Sequence, residues 1–249
     1  SPASPGPVSG EEQPVPSDLD AEVRRVKATA LFLITSLDET LAAVRALHAS
    51  GATLDPDVLA VLTLPTPWAR GWDVLFLAER RGGGVSVLYE GRHPEAESRS
   101  FQRLDDPRPL VGIEVEAWAA RQLAADRYLR NGTCHGGFQA LVLPPHEGED
   151  GFTVYILPTP GKRLAIGGFR RIRVSADGQR VLSDEPLTEG CRSAADTEPI
   201  RIHNAVVEVP DEMSLMLAIG LPRTFEVVTR RGRWDITSGR MRYLGAAAP

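Results

Sequence analysis

The stretch CHGGFQALVLPPHEGEDGFTVYILPTPGKRLAIGGFRRIRVSADGQRVLSDEPLTEGC (residues 134–191) decides the reading of the fold. FQALVLPP (138–145), FTVYILPT (152–159) and RRIRVSADGQRVLS (170–183) are strand signals, short and apolar or β-branched, and Asp177-Gly178 marks a tight hairpin in the third. The chain's two cysteines flank this stretch: Cys134 in a turn before a strand, Cys191 in a polar loop after the last one. Such positions suit a disulfide better than a redox centre, which takes a CxxC spacing or a cysteine at a helix start. Closing a loop of about 58 residues contributes on the order of 4 kcal/mol by restricting the unfolded chain. A bonded pair implies an oxidising compartment, hence a periplasmic or secreted chain. The competing reading, Cys134 as nucleophile with His135 as base, is poorly placed, because strand neighbours point to opposite faces.

Working outward, PIRIHNAVVEVP (199–210) supplies another strand, and FEVVTRRGRWDITSGRMRYLG (225–245) reads as three short strands split by Arg-Gly and Ser-Gly turns. MSLMLAIG (213–220) is ambiguous in period, with Asp211 available to cap a short helix. Upstream, residues 20–50 form a helical pattern, with an apolar stripe at Val23, Val26, Ala30, Ile34, Leu37, Leu41, Val44 and Leu47. A break is expected near Thr35-Ser36, where Ser36 and Glu39 have capping-box spacing, and Gly51 is a natural terminator. WDVLFLAER (72–80) and VSVLYEG (85–91) read as a hairpin turned by Gly82, Gly83 and Gly84. No helix and no Lys-Ser/Thr follow these glycines, so a phosphate loop is excluded. HPEAESRSFQRLDDPRP (93–109) is expected as a polar loop. A second helix follows at about residues 114–129, with Trp118 and Leu129 facing the core and Asn131-Gly132 ending it.

The expected architecture is therefore α+β, an antiparallel β-rich C-terminal half packed with helices from the N-terminal half. Residues 1–17, with five prolines, form a flexible lead; 18–130 form a helical region with a β-hairpin; 131–249 form the β-rich region, able to share one core with 18–130. A 42% hydrophobic content supports a sizeable core, and no apolar run reaches the roughly 18 residues that cross a bilayer. The net charge of -5 hides a split: 14 basic against 22 acidic residues over 1–150, and 14 against 11 over 151–249. General nucleic-acid affinity is not expected from so modest a balance. Lys27 and Lys162 are the only lysines among 28 basic residues, a chain-wide bias that a GC-rich genome produces.

No motif carries catalysis. GxSxG is absent, and His48, His93, His135, His146 and His203 fall in no compact metal spacing. His146 with Glu147, Glu149 and Asp150 reads as a solvated acidic turn, and His203 as a core or half-buried strand residue. Asp105-Asp106 and Glu114/Glu116 are paired carboxylates only in composition; two residues apart on a helix, the latter do not face each other. Catalytic, cofactor and metal residues are therefore none. The arginines are more informative. Strand alternation puts Arg231 and Arg233 on one face of their strand and Arg240 and Arg242 together on one face of theirs; with Arg171 and Arg173 they offer a basic binding face for an acidic protein or anionic glycan. The alternative is the polar side of a sheet whose other side is core.

CHGGFQALVLPP, FTVYILPTPG, GGFRRIRVSADGQRVLSDEPLTEGC and RRGRWDITSGRMRYL, in that order, resemble a poorly characterised set of bacterial exported proteins. Those proteins share the cysteine pair, the SADG hairpin and the Arg-Tyr-Leu-like finish. The resemblance covers roughly residues 131–244; it implies an exported protein of a Gram-negative bacterium and transfers no activity, cofactor or catalytic residue. The expected function is thus an exported, non-enzymatic interaction or structural protein of the bacterial envelope. The alternatives are a periplasmic hydrolase whose site is assembled from distant residues, and a toxin-neutralising or inhibitor protein. Intact mass of thiol-trapped protein is expected two hydrogens below the dithiol form, with alkylation of Cys134 and Cys191 only after reduction. Two freely alkylated thiols would remove the main support for export.

Overall fold

Thirty residues free of Pro and Gly let helix α1 (Asp20–Ala49) run unbroken. The expected break at Thr35-Ser36 does not occur. The Thr35 hydroxyl donates to the Leu31 carbonyl (2.8 Å) and that of Thr40 to the Ser36 carbonyl (2.9 Å), so both side chains bond back into the helix. The buried stripe is Val23, Val26, Ala30, Leu33, Ser36, Ala43 and Leu47, which passes through Leu33 instead of Ile34 and leaves Leu41 39% exposed. The shift reflects two tasks: the first half of α1 packs on one core and the second half on another.

The computed structural model describes residues 10–50, 54–66, 71–80, 82–94, 100–131, 134, 136–146, 149–159, 166–188, 190–191, 200–204, 206–221 and 223–246. They form an α+β fold with three four-stranded sheets. The first is an antiparallel meander of β1 (Val58–Pro65), β2 (Gly71–Glu79), β3 (Val85–Pro94) and β4 (Ser100–Pro109). Strands β2 and β3 are the expected hairpin, and Gly82–Gly84 take its turn at φ +103, +98 and +82. The sheet is larger than that hairpin. The apolar run at 57–64 adds β1, and residues 100–109 are not loop but the edge strand β4. Its polar, proline-terminated sequence suits an edge, where one row of backbone groups meets water.

Helix α2 (Ile113–Asn131) leads to the second meander, β5 (Gly137–Leu143), β6 (Gly151–Thr159), β7 (Arg170–Ser175) and β8 (Val181–Pro186). Alternation divides its faces. Val142, Val154, Ile156, Ile172 and Val174 pack against Ala117, Ala120, Ala124 and Tyr128 of α2, while Leu141, Leu143, Tyr155 and Leu157 face α1 and the third sheet. Trp118 packs at the margin of this core, but Leu129 is 67% exposed. At 100° per residue Leu129 lies opposite Ala120, so it cannot share the buried stripe.

The third sheet has the order β12-β11-β10-β9, from β9 (Ile200–Asn204), β10 (Thr224–Thr229), β11 (Gly232–Thr237) and β12 (Arg240–Tyr243). Its β9–β10 pair is parallel, a departure from the antiparallel expectation. Parallel neighbours need a crossover, and α3 (Glu212–Gly220) provides it, settling the ambiguous MSLMLAIG as helix. Of the expected lead, residues 1–9 lie outside the described residues. Further along it, Gln13 N–H donates to the Tyr243 carbonyl (2.8 Å) beside β12, and Glu12 pairs with Arg240 (2.8 Å).

The SADG turn between β7 and β8 is docked on α2. Gly178 has φ +71, and a Cβ there would stand 2.6 Å from Ala119 Cβ and 2.9 Å from the Glu116 carbonyl oxygen. Gly83, at φ +98, has nothing within 4 Å. Gly178→Ala is therefore expected to cost at least about 1 kcal/mol more in urea unfolding than Gly83→Ala, since both add strain but only the first adds a clash.

Candidate functional site

Glu212 opens α3 and is the most deeply buried carboxylate of the described residues that carries ion pairs, with 1% of its side chain exposed. It accepts hydrogen bonds from the Tyr155 hydroxyl (2.5 Å) and Arg171 Nη1 (2.6 Å), and Arg25 Nη1 lies 3.5 Å away. Register explains the meeting. Tyr155 of β6 stands opposite Arg171 of β7, which stands opposite Glu185 of β8, so the three side chains share one face. Arg171 binds Glu185 through its other amino group (2.5 Å), and Arg25 is held by Glu22 one helical turn away (2.7 Å). Burial alone would raise the Glu212 carboxyl; the Arg171 charge, the Tyr155 hydroxyl and Arg25 outweigh it and hold the group below its ordinary range. Burial and the adjacent Glu212 push the Tyr155 phenol well up, so it stays a donor.

This network floors a cleft of about 800 Å³ between α1 and the second sheet. Thr153 and Arg173, register partners on the same face, extend the floor outward. The rim is the β5–β6 turn, which contributes His146, Glu149 and Asp150. That turn is pinned by His146 N–H to Glu149 Oε2 (3.2 Å) and Glu149 N–H to the His146 carbonyl (2.9 Å), and Phe32 of α1 meets the His146 ring edge-on at 6.4 Å. Arg173 makes no hydrogen bond or ion pair among the described residues.

The residues singled out in the sequence are distributed as follows. Cys134 and Cys191 are joined, with Cα atoms 5.2 Å apart, and Gly168 at φ +78 lies against the bridge, where a Cβ would stand 2.3 Å from Cys134 Sγ. The six arginines fall on two sheets: Arg171 and Arg173 on the second, Arg231, Arg233, Arg240 and Arg242 on or beside the third. Most face carboxylates. Arg233 binds Glu226 (2.7 Å), Arg231 binds Asp18 (2.7 Å), and Arg242 lies between Asp235 (3.9 Å) and Glu12 (4.0 Å). His203 is exposed, not half-buried, because only one face of β9 meets the core, taking Ile200, Ile202 and Asn204 inward. His135 and Glu147 lie outside the described residues. Asp105 and Asp106 are exposed on β4, whereas Glu114 caps the start of α2, accepting from Val111 N–H (3.0 Å) and gripped by Arg108 (2.8 and 2.9 Å).

Of the histidines and acids weighed in the sequence, the cleft brings together His146, Glu149 and Asp150. Sequence reasoning missed Glu212, Tyr155, Arg25 and Glu22. The only local signal was Asp211-Glu212 standing before an apolar octet. Among the described residues no cluster of three His, Cys, Asp or Glu is placed to hold a metal ion, and no helix is long and apolar enough to cross a membrane. No protein-family model, curated protein or solved structure matches the chain.

Asp211 caps α3, accepting from the Met213 and Ser214 N–H groups (3.0 and 2.9 Å) and the Ser214 hydroxyl (2.8 Å). Burial outweighs these bonds and pushes its carboxyl up to about 6. The folded chain thus holds this proton more tightly than the unfolded chain, where aspartate titrates near ~3.9. The resulting stabilisation is full below about pH 4 and lost as pH rises through about 6. Glu212 acts oppositely: its contribution is present above its ordinary range and lost as pH falls through its lowered value. Asp211→Asn keeps the cap acceptor and is expected to remove a decline of about 3 kcal/mol between pH 4 and 6.5, read by urea unfolding across that range.

Proposed function

We propose that the protein is an exported, non-enzymatic binding protein that holds a small acidic sugar in the cleft between α1 and the second sheet. The observation that carries this reading is the state of the cleft's charges. Arg25 and Arg171 are already neutralised by Glu22, Glu185 and Glu212, which leaves Arg173 as the cation free to take a ligand. A guanidinium fork suits a carboxylate, and Glu149 and Asp150, which line the same cleft, are acceptors for hydroxyl groups. A ligand with one negative charge and several hydroxyls satisfies both. The paired arginines of the third sheet argue against a large acidic protein as the partner. The Cys134–Cys191 bond supports residence in the periplasm or outside the cell.

A second reading, a hydrolase acting on the same ligand class, is favoured by one observation: His146 and Asp150 share the rim of this cleft. Calorimetric titration separates the readings from each other and from a bare surface. Galacturonate or a short oligomer of it is expected to bind, neutral galactose to bind much more weakly, and Arg173→Gln to lower the affinity for the acid about tenfold or more. Equal binding of the neutral sugar, or no effect of Arg173→Gln, would overturn the proposal. Slow release of reducing ends from the oligomer, abolished in His146→Gln and Asp150→Asn, would establish the hydrolase instead.

A further inference from the structure

A second cavity, of about 280 Å³, opens between α1 and the outer strands of two sheets, β1 and β5. Its apolar lining includes Leu37, Leu41 and Val44, one face of α1, with Leu59 and Val61 of β1. Leu59 is 58% exposed and Leu41 39%, so apolar surface continues from the cavity to solvent. The neighbouring Thr40 and Thr63 hydroxyls are bonded to each other at 2.6 Å and make no demand on a ligand.

Two other polar groups lining the cavity are unsatisfied. Ser36 is 1% exposed, and its buried hydroxyl has no hydrogen-bond partner. Arg121 Nε is buried and likewise without one. The rest of this guanidinium stacks over the Trp118 ring at 5.4 Å and donates through Nη1 to Gln122 Oε1 at 3.2 Å. It has no carboxylate within 4.0 Å among the described residues, and burial pushes it below its ordinary pKa. A half-buried cation without a counter-ion, its Nε fully buried and unpaired, lines the same cavity as a buried hydroxyl without a partner, and both are costly to leave unsatisfied. Both groups can donate, and both face a space walled by aliphatic side chains. An anion with an apolar body relieves both costs.

We propose that this cavity binds a small aliphatic monocarboxylate, its carboxylate on Arg121 and Ser36 and its chain against Leu37, Leu41, Leu59 and Val61. At ~30 Å³ per water-sized group the cavity takes roughly nine heavy atoms, the size of a short-chain fatty acid. This site is separate from the polar cleft, which lies toward the other end of α1, at Glu22 to Thr29.

Hexanoate is the probe, with 1-hexanol as its uncharged counterpart, titrated into the whole oxidised protein and followed by calorimetry and backbone amide NMR. One saturable site is expected, with the largest shifts on residues of α1, β1 and β5, and hexanol is expected to bind at least about tenfold more weakly. Arg121→Gln should weaken hexanoate by a similar factor, whereas Arg173→Gln should leave it unchanged. Leu59→Glu, at an exposed position where folding is not at stake, removes apolar wall from both ligands but sets a like charge against only one, so it should weaken hexanoate by a clearly larger factor than hexanol. The proposal is overturned if hexanoate does not saturate, if hexanol binds as tightly, or if Leu59→Glu or a folded Arg121→Gln binds hexanoate as well as the wild type does.

Discussion

One buried carboxylate ties the three parts of the molecule together. Glu212 belongs to α3 and so to the third sheet; its partners Tyr155 and Arg171 belong to the second sheet, and Arg25 belongs to α1. Apolar packing surrounds this junction, and hydrophobic contact alone is tolerant of small slides between layers. A charge at the junction is not. If α3 moves, Glu212 and Arg171 lose each other in a place where water cannot replace either. The network therefore sets the relative positions of α1, α3 and β5–β8, and with them the width of the cleft. Strand β7 carries both Arg171, which holds Glu212, and Arg173, so the free cation of the cleft is fixed relative to the paired network beside it.

The two cavities differ in how their walls were made. The polar cleft lies where alternation turns Thr153, Tyr155, Arg171, Arg173 and Glu185 to one face, and α1 answers with Glu22 and Arg25. The smaller cavity lies where neither sheet has a further strand to add, so side chains of α1 and α2 complete it. Helix α1 borders both. Its continuity through Thr35 and Ser36 is thus more than a local matter: a break there would separate the wall of one site from the wall of the other.

Most of the fold was legible because its signals are local. The strands of the second sheet, the Asp177-Gly178 turn, the β2–β3 hairpin and both long helices each announce themselves within about ten residues. What failed depended on distant partners. Strand β4 has an edge strand's polar sequence, which composition alone cannot tell from a loop. Leu129 is an apolar residue on a face that no neighbour covers, and Leu41 stands at the open edge of the smaller cavity. The Ser36 box had the right spacing for a cap, but Thr35 and Thr40 bond back into the helix and both flanks of α1 are packed, so nothing ends there. The parallel β9–β10 pair follows from α3, whose period eight residues could not declare. The site was less legible still. Glu212 meets its partners across 41 and 57 residues of chain, and no spacing rule reaches that far. The arginines drew attention by their alternation, but alternation says nothing about the acids that stand opposite.

The covalent clasp at the second sheet also has a mechanical meaning. Cys134 precedes β5 and Cys191 follows β8, so all four strands lie inside one loop with 57 residues of separation between its ends. Tension applied at the chain's ends passes through the sulfur–sulfur bond and bypasses them. The oxidised chain, fully stretched, is shorter than the reduced one by roughly 200 Å, at about 3.5 Å per residue. The floor of the cleft is carried almost entirely by this sheltered length, so the part of the molecule that holds Tyr155, Arg171 and Arg173 is also the part that pulling on the termini cannot draw out.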